Sequence, residues 1–299
     1  MRTFTIDECI GNTPLVRLER MWRGGPTVLA KLEGNNPAGS LKDRPALEMV
    51  REAERSGRIK PGDTLIEASS GNTGIALAMV AAIRGYHMVV VMPEHMSLER
   101  RDVMRALGAK LVLTPRAGSM EHARDLAKQM EQRGEGVILN QYANRSNPAS
   151  HYKGTGPEIW RDTDGRVTHF IAGVGTSGTL MGAGRFLKEQ NDAVAIVGVE
   201  PDRDGGIQGI RAWRPEYRPA IFDPDTLDQK RIVSHEQAAA AAKALARQEG
   251  IFAGISTGAN LHATLQIAAE CEAAGRSDAV IVTIVCDRGD RYLSTGMFS

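Results

Sequence analysis

Lys42 stands where a positive side chain is unfavourable. Residues 35–39 read as a turn, and the following segment LKDRPALEMVREAERSG is predicted to form a helix, with Ser40 as N-cap and Asp43 completing a capping box. A cation near the positive end of the helix macrodipole costs about 0.3–1 kcal/mol. An exposed lysine is the ordinary interpretation. The same field lowers the pKa of an amine, which would suit a nucleophile or a base.

A first glycine-rich turn, ASSGNTGIA, occupies residues 68–76 between a predicted strand and a predicted helix. Gly71 and Gly74 let backbone N–H groups approach a ligand, and such a turn at a helix start binds anions. Short polar side chains surround the glycines, namely Ser69, Ser70, Asn72 and Thr73. The same residues are ordinary helix caps, so this loop alone leaves both interpretations open.

A second such turn, AGVGTSGTLMGAG, occupies residues 172–184. Gly173, Gly175 and Gly178 form a G-x-G-x-x-G pattern, and Glu200 ends the next predicted strand, so NAD binding is one interpretation. The pattern also contains hydroxyl groups, which suit a terminal phosphate better than a pyrophosphate, on Thr176, Ser177 and Thr179. No lysine follows the glycines, which excludes a P-loop. The turn therefore predicts a phosphate site without specifying the phosphate.

A third turn, AGISTGANL at residues 253–261, contains the G-x-S-x-G pattern of hydrolase nucleophiles around Ser256. An α/β-hydrolase needs the order serine, acid, histidine. The last histidine is His262, and every acidic residue after Ser256 lies beyond it, so that triad is excluded. Ser256 is then either a helix cap or a neutral hydrogen-bonding partner for a ligand. No two histidines have metal-ligand spacing, and no metal site is predicted.

The composition indicates a soluble, cytoplasmic protein of enzyme size. Among 299 residues, 37 basic and 36 acidic side chains nearly cancel, so no nucleic-acid-binding field is expected. The longest apolar run, IALAMVAAI, is too short to span a bilayer, and the N-terminus has no apolar signal segment. The three cysteines lack CxxC spacing, which favours a reducing compartment.

The turns lie in a regular alternation of strands and helices, which predicts parallel sheets covered on both faces. Two strands near the N-terminus are followed by two α/β units that meet near residue 146. The segment NPASHYKGTGPEIWRDT is predicted to be one helix, and residues 201–233 a long loop. Ligands usually bind at the carboxyl ends of parallel strands, in the crevice between such units.

Taken together, an amine, two anion-binding loops and a neutral serine are what pyridoxal phosphate requires of a protein. The sequence resembles the cysteine synthase (O-acetylserine sulfhydrylase) family of fold-type II pyridoxal-phosphate enzymes. The resemblance covers essentially the whole chain, in the motifs GNTPLVRL, KLEGNNPAGSLKDR, SSGNTGIALA, GVGTSGTLMG, GISTGAN and RYLSTG. It implies a tryptophan synthase β-like fold with its active site in the cleft between a smaller mobile domain, 37–146, and a larger one, 1–36 plus 147–299.

The resemblance also implies a role for each site residue. Lys42 would be the Schiff-base lysine and general base, Asn72 would bond the ring oxygen, and Ser256 would meet the pyridine nitrogen. A neutral Ser256 cannot hold a proton there, which favours elimination. The phosphate would be held by Gly175, Thr176, Ser177, Gly178 and Thr179. The substrate carboxylate would be held by Ser69, Ser70, Gly71, Thr73 and Gln141.

Within the family, the ending IVCDRGDRYLSTGMF and the GIRAW segment around Arg211 resemble the B isoform, which accepts thiosulfate as well as sulfide. Arg211, Arg288 and Cys286 are hypothetical contacts for an anionic sulfur donor, although an inert buried thiol is the commoner role of such a cysteine. The A isoform usually has Thr-Ser where this chain has Ser69-Ser70, and Ser69 keeps the hydroxyl.

The implied reaction is a ping-pong β-replacement through an aminoacrylate. It would make L-cysteine from O-acetyl-L-serine and sulfide, and S-sulfocysteine from thiosulfate. The resemblance implies a homodimer; some relatives bind serine acetyltransferase, which is not predicted here. Three alternatives stay open. They are a serine or threonine dehydratase with the same cofactor, an NAD-dependent oxidoreductase, and a binding protein that accepts a C-terminal carboxylate in the 69–73 loop.

Overall fold

The predicted alternation of strands and helices is confirmed in the computed structural model, which describes residues 3–202 and 206–298. The strands are β1 Leu15–Arg17, β2 Thr27–Leu32, β3 Thr64–Ala68, β4 His87–Pro93, β5 Lys110–Thr114, β6 Val137–Ile138, β7 His169–Gly173, β8 Ala195–Pro201, β9 Gln229–Val233 and β10 Val280–Val285. The helices are α1 Asp43–Arg55, α2 Asn72–Arg84, α3 Leu98–Ala106, α4 Ser119–Gln132, α5 Ser146–Lys153, α6 Thr155–Asp162, α7 Arg185–Gln190, α8 His235–Glu249 and α9 Ile255–Ala273.

The strands form two sheets. The larger has the order β1-β2-β10-β7-β8-β9 and is parallel except for β1, which runs antiparallel to β2. The smaller has the order β5-β4-β3-β6 and is parallel throughout. All residues of β10 are buried, as expected for an interior strand of a sheet that helices cover on both faces. The prediction of an α/β fold with parallel-sheet cores is therefore confirmed.

Separate apolar cores stabilise the two sheets. Helix α2 is apolar on most of its surface and packs between the smaller sheet and α1, which is the usual environment of such a helix. The larger sheet is covered by α8 and α9 on one face and by the segment from α6 to α7 on the other. The smaller sheet lies within residues 64–138, and the larger is built from residues outside that range. The domain boundaries at residues 37 and 146 remain a prediction.

The single helix predicted over residues 147–163 is wrong. Gly154, with φ −120° and ψ −77°, separates α5 from α6. A Cβ at this position would lie 2.8 Å from Nη1 of Arg44, so the backbone bends where it passes a buried guanidinium. Both helices still contact the same segment of the chain, Leu180–Gly184.

Two further predictions need correction. Within the predicted loop 201–233, Gln229–Val233 forms the edge strand β9, and residues 203–205 lie outside the described part of the chain. Ser40 does not cap α1, whose N-cap is Lys42, and its backbone forms an isolated antiparallel bridge with Asp287. The carboxylate of Asp43 accepts a hydrogen bond from the backbone N–H of Ala38 at 2.6 Å. None of the described helices is both long and apolar enough to cross a membrane.

Candidate active site

A cavity of about 440 Å³ opens where the carboxyl ends of strands from both sheets meet. Its wall includes Lys42, residues 69–73, Gln141, Gly175, Thr176 and Arg211. An adjoining cavity of about 40 Å³ also reaches Lys42 and Asn72 and is lined by three further predicted residues, namely Ser177, Thr179 and Ser256. The fold thus brings together residues that are far apart in sequence. A larger depression of about 910 Å³, beside α5 and α7, contains none of them.

Lys42 immediately precedes α1 and is half-buried. The turn before it is fixed to the chain after β10, since Leu41 N–H donates to the carbonyl of Cys286 at 2.9 Å. Its Nζ makes no hydrogen bond to any residue in the described ranges. Burial lowers the pKa of Lys42, although Cys286 and Asp287 oppose the shift. A larger fraction of this amine is therefore neutral at a given pH than in water.

The loop of residues 69–73 serves both as a cap and as a cavity wall. Ser69 Oγ accepts hydrogen bonds from the backbone N–H groups of Gly74 at 3.0 Å and Gly71 at 3.4 Å, which satisfies the start of α2. Thr73 donates its hydroxyl hydrogen to Gln141 Oε1 at 2.7 Å. A Cβ on Gly71 would meet nothing within 4 Å, so this part of the loop faces open space.

Asn72 is held by residues near the C-terminus. Its Nδ2 donates to Asp287 at 2.7 Å, and its Oδ1 accepts from Arg291 Nη1 at 2.6 Å. Asp287 is itself bonded by the hydroxyl of Tyr292. Arg288, by contrast, is exposed, donates to the carbonyl of Gly34 at 2.8 Å and lines neither cavity. The structure therefore does not support the hypothesis that Arg288 contacts a ligand.

The loop of residues 175–179 has the conformation of an anion-binding turn. Ser177 is left-handed with φ +69°, which turns successive N–H groups toward one side. Thr176 Oγ1 accepts a hydrogen bond from Asn147 Nδ2 at 3.1 Å. A Cβ at Gly178 would lie 2.0 Å from Asn147 Oδ1, so this position requires glycine. Gly178 supports the loop through this packing and is not part of either cavity wall.

His151 supports the same loop from behind. Its Nε2 lies 3.3 Å from Thr179 Oγ1, and its Nδ1 lies 2.9 Å from Thr155 Oγ1. Burial, together with the positive charge of Arg44, lowers the pKa of His151 to about 3. The imidazole is consequently neutral at physiological pH and orients the Thr179 hydroxyl without adding charge. A short π-helical turn, Leu180–Gly184, follows the loop and leads into α7.

Ser256 lies in the first turn of α9, whose N-cap is Gly254, so the helix-cap interpretation is wrong. It is buried and lines the smaller cavity beside Cys286. Burial and the nearby Asp287 raise the pKa of Cys286 to about 11, although a hydrogen bond with Ser256 opposes this. The thiol is therefore protonated at neutral pH, as expected for an inert buried cysteine.

Several wall residues were not predicted from the sequence. Arg100 is buried and connects the two halves of the cleft: it donates to Gln208 Oε1 at 2.7 Å and to the carbonyl of Ser70 at 3.4 Å. Trp213 Nε1 donates to the carbonyl of Gly175 at 2.7 Å. The position of Arg100, at the start of the helix after β4, was a usable signal, because it follows a strand at the ligand-binding edge of the sheet.

A family model described as pyridoxal-phosphate dependent enzyme matches residues 6–287. The chain belongs to this family. It is similar to cysteine synthase B from Pseudomonas aeruginosa, with 52% identity over 98% of this chain and 97% of that protein. It is also similar to cysteine synthase B from Escherichia coli, with 53% identity over 98% of this chain and 96% of that protein. The resemblance to cysteine synthases is thereby confirmed.

Solved structures agree with this assignment. An O-ureido-L-serine synthase has a TM-score of 0.93 and 38% identity, and the match covers 100% of this chain and 96% of that one. The cysteine synthase of Entamoeba histolytica has a TM-score of 0.92 and 38% identity, over 99% of this chain and 91% of that one. The family assignment favours pyridoxal phosphate over NAD as the ligand of the 173–178 glycine pattern.

The residues present fit pyridoxal phosphate. An amine with a lowered pKa lies in the cavity wall, close to a turn whose N–H groups and hydroxyls suit a phosphate monoester. Ser256, a neutral hydroxyl, lies in the same wall. Among residues 3–202 and 206–298, no cluster of histidine, cysteine and carboxylate side chains could hold a metal ion.

Proposed function

We propose that this protein makes L-cysteine from O-acetyl-L-serine and sulfide, with pyridoxal phosphate held as the sequence motifs imply. One observation carries the proposal: Lys42 lies in a single cleft between a loop suited to a carboxylate, residues 69–73, and a loop suited to a phosphate, residues 175–179. The substrate named for this reaction has an α-carboxylate, and the cofactor has a phosphate. The cysteine synthase B relatives support the same reaction.

Each wall residue has a role in this proposal. Lys42 would attach the cofactor, the 175–179 loop would bind its phosphate, Asn72 would bond its ring oxygen and Ser256 would meet its pyridine nitrogen. When bound, the cofactor would supply an electron sink for the negative charge that develops at the substrate α-carbon. The N–H groups of the 69–73 loop and the amide of Gln141 would bind the substrate carboxylate and so hold the α-carbon in the cavity that Lys42 lines.

Lys42 also moves the proton. Its lowered pKa provides a neutral amine to remove the α-proton as acetate leaves, and the same amine returns the proton after the sulfur nucleophile has added. Burial of the amine in the cavity wall keeps it away from bulk water, which would otherwise compete for the proton.

The sulfur donor, the domain motion and the assembly state are also part of the proposed function. Arg211 lies in the cavity wall with its guanidinium 5.3 Å from the centre of the Trp213 ring, and this position supports contact with an anionic sulfur donor such as thiosulfate. Carboxylate binding at the 69–73 loop closes the smaller domain, 37–146, over the site. The protein acts as a homodimer in the cytoplasm, as the family resemblance and the cysteine usage suggest.

A product assay tests the proposal. The pyridoxal-phosphate-loaded protein should convert O-acetylserine to cysteine only when sulfide is supplied, and Lys42→Ala should abolish the reaction. Release of pyruvate from serine, or of an oxoacid from threonine, at comparable rates without sulfide would instead identify a dehydratase. Absence of cysteine formation in the loaded protein would refute the proposal.

A further inference from the structure

Glu67 is a buried carboxylate next to the end of β3, just before the loop that forms the carboxylate-binding wall. The residue is 3% exposed. Its Oε1 accepts a hydrogen bond from Gln141 Nε2 at 3.4 Å, and its buried Oε2 has no hydrogen-bond partner within the part of the chain described. A glutamate in this state is costly to fold, so a contribution to the neighbouring site would explain its position.

The Gln141 backbone is also held by groups other than Glu67. Its carbonyl accepts from Asn147 Nδ2 at 2.8 Å, and the preceding Asn140 has a left-handed conformation with φ +57°. The side-chain amide, however, can present either its oxygen or its nitrogen to a given neighbour. Which of these faces the cavity depends on the groups that contact the amide, and Glu67 and Thr73 are those groups.

An ionised carboxylate can only accept hydrogen bonds, so Glu67 holds Gln141 Nε2 toward itself. The amide oxygen then accepts from the Thr73 hydroxyl, as observed at 2.7 Å. The amide nitrogen has two hydrogens, and the second remains for a ligand in the cavity. A protonated Glu67 could donate to the amide oxygen instead, and the amide could then reverse.

We propose that Glu67 is a positioning residue whose carboxylate orients the amide of Gln141 so that one N–H faces the α-carboxylate of the substrate. This inference rests on the proposed function, because it assumes an amino-acid substrate in the cleft. Glu67 lines neither cavity and acts through Gln141.

The surroundings of Glu67 allow its charge to change near neutral pH. Burial raises its pKa to about 7, although the Gln141 side chain, the backbone N–H groups of Asn140 and Gln141, and the charge of Arg124 on α4 oppose the shift. Its neighbour on β4 is Val90, and the nearby ends of β6 and α2 provide only uncharged side chains. The orienting effect is therefore present above about pH 7 and weakens below it.

The test is a titration of the holoenzyme with O-acetylserine, followed by the visible absorption of the bound cofactor, in the wild type and in Glu67→Gln. At about pH 8 the variant should need about 3- to 10-fold more O-acetylserine for a half-maximal response, the usual effect of losing one aligned hydrogen bond. At about pH 6 the two proteins should respond alike, because protonated Glu67 no longer fixes the amide. The rate at saturation should stay within about twofold at both pH values.

Three comparison variants separate this role from a structural one. Glu135→Gln, on the exposed surface, should match the wild type at both pH values. In a Gln141→Ala background, Glu67→Gln should have no further effect on the titration, because the group it orients is gone. If Glu67→Gln does not fold, Gln141→Met gives the same information: its defect relative to the wild type must be larger at about pH 8 than at about pH 6.

The experiment distinguishes failure of the proposed function from failure of the positioning role of Glu67. A wild-type holoenzyme that does not respond to O-acetylserine overturns the proposed function. A wild type that responds, with Glu67→Gln following it at both pH values, overturns only the positioning role. Tighter binding by Glu67→Gln at about pH 8 would also overturn that role, since it would mean that the Glu67 charge repels the substrate.

Discussion

Arg44 provides the sharpest test of how the start of α1 is held. Its guanidinium makes four short hydrogen bonds to two buried carboxylates, two to Glu33 at 2.7 and 2.8 Å and two to Glu158 at 2.7 Å each. Lys31, fully buried on β2, adds an ion pair to Glu158 at 2.9 Å. The perturbation is Arg44→Met, which keeps much of the side-chain volume and removes the charge.

The burial of these charges determines how much stability Arg44→Met should lose. Removing one partner of a buried ion pair leaves an uncompensated charge and costs about 3–5 kcal/mol. Burial alone would raise the pKa of Glu158, but Arg44 and Lys31 lower it to about 2, compared with an ordinary value of 4.5. This difference corresponds to about 3 kcal/mol of stability, present above about pH 4.5 and lost as the pH falls through about 2. Most of that stabilisation should disappear in Arg44→Met.

The assay is urea unfolding of the holoenzyme, followed by circular dichroism, at about pH 8 and about pH 5. The loss should be about 3–5 kcal/mol at pH 8 and smaller at pH 5, because unpaired carboxylates can take up protons there. Arg51→Met on the same helix is the control, since its pair with Asp7 is partly exposed and should contribute less than about 1 kcal/mol. A loss below about 1 kcal/mol for Arg44→Met, or an equal loss at both pH values, would show that Arg44 does not stabilise the buried carboxylates.

Other predictions concern the same region and the cleft. Burial raises the pKa of Asp43 to about 7 from 3.8, so its contribution to stability falls as the pH rises from about 4 to about 7. Asp43→Asn should flatten the plot of unfolding free energy against pH in this range. Parallel plots for the variant and the wild type would contradict this prediction. A Cβ at Gly258 would lie 1.9 Å from the carbonyl of Ala238, so Gly258→Ala should lower the free energy of unfolding by about 1–3 kcal/mol in denaturant titrations. Gly71 faces open space, so Gly71→Ala should keep wild-type stability and weaken O-acetylserine binding. Equal stabilities of these two variants would be inconsistent with the packing. Arg211→Ala should reduce kcat/KM with thiosulfate more than with sulfide, about tenfold for a lost charged hydrogen bond, and an equal loss with both donors would remove this role.

The sequence predicted best those parts of the site that are formed by residues adjacent in the chain. The first two glycine-rich turns each follow a strand and precede a helical segment, so the 69–73 and 175–179 loops could be predicted from a few adjacent residues. Lys42 is a different case, since its position at a helix start did not identify a function. The two anion-binding loops identified a function for Lys42, because the carboxyl ends of parallel strands meet in one cleft.

Long-range contacts could not be predicted in the same way. The link from Asn72 to Asp287 and Arg291 joins distant parts of the chain, and so does the bond from Gln141 to Glu67. Periodicity reports which face of an element is buried and says nothing about its partner. The edge strand β9 was missed because four of its five residues are exposed or half-buried, which removes the apolar run that indicates a buried strand.

The visible absorption spectrum of the purified protein, loaded with pyridoxal phosphate, tests the role of Lys42 most directly. In that role, Lys42 holds this cofactor in a cleft that also binds O-acetylserine. We expect a coloured wild-type protein whose absorption band shifts on addition of O-acetylserine and is restored by sulfide, and a Lys42→Ala variant that shows neither change. A wild-type protein without a bound chromophore, or one whose band is unaffected by O-acetylserine, would contradict this role.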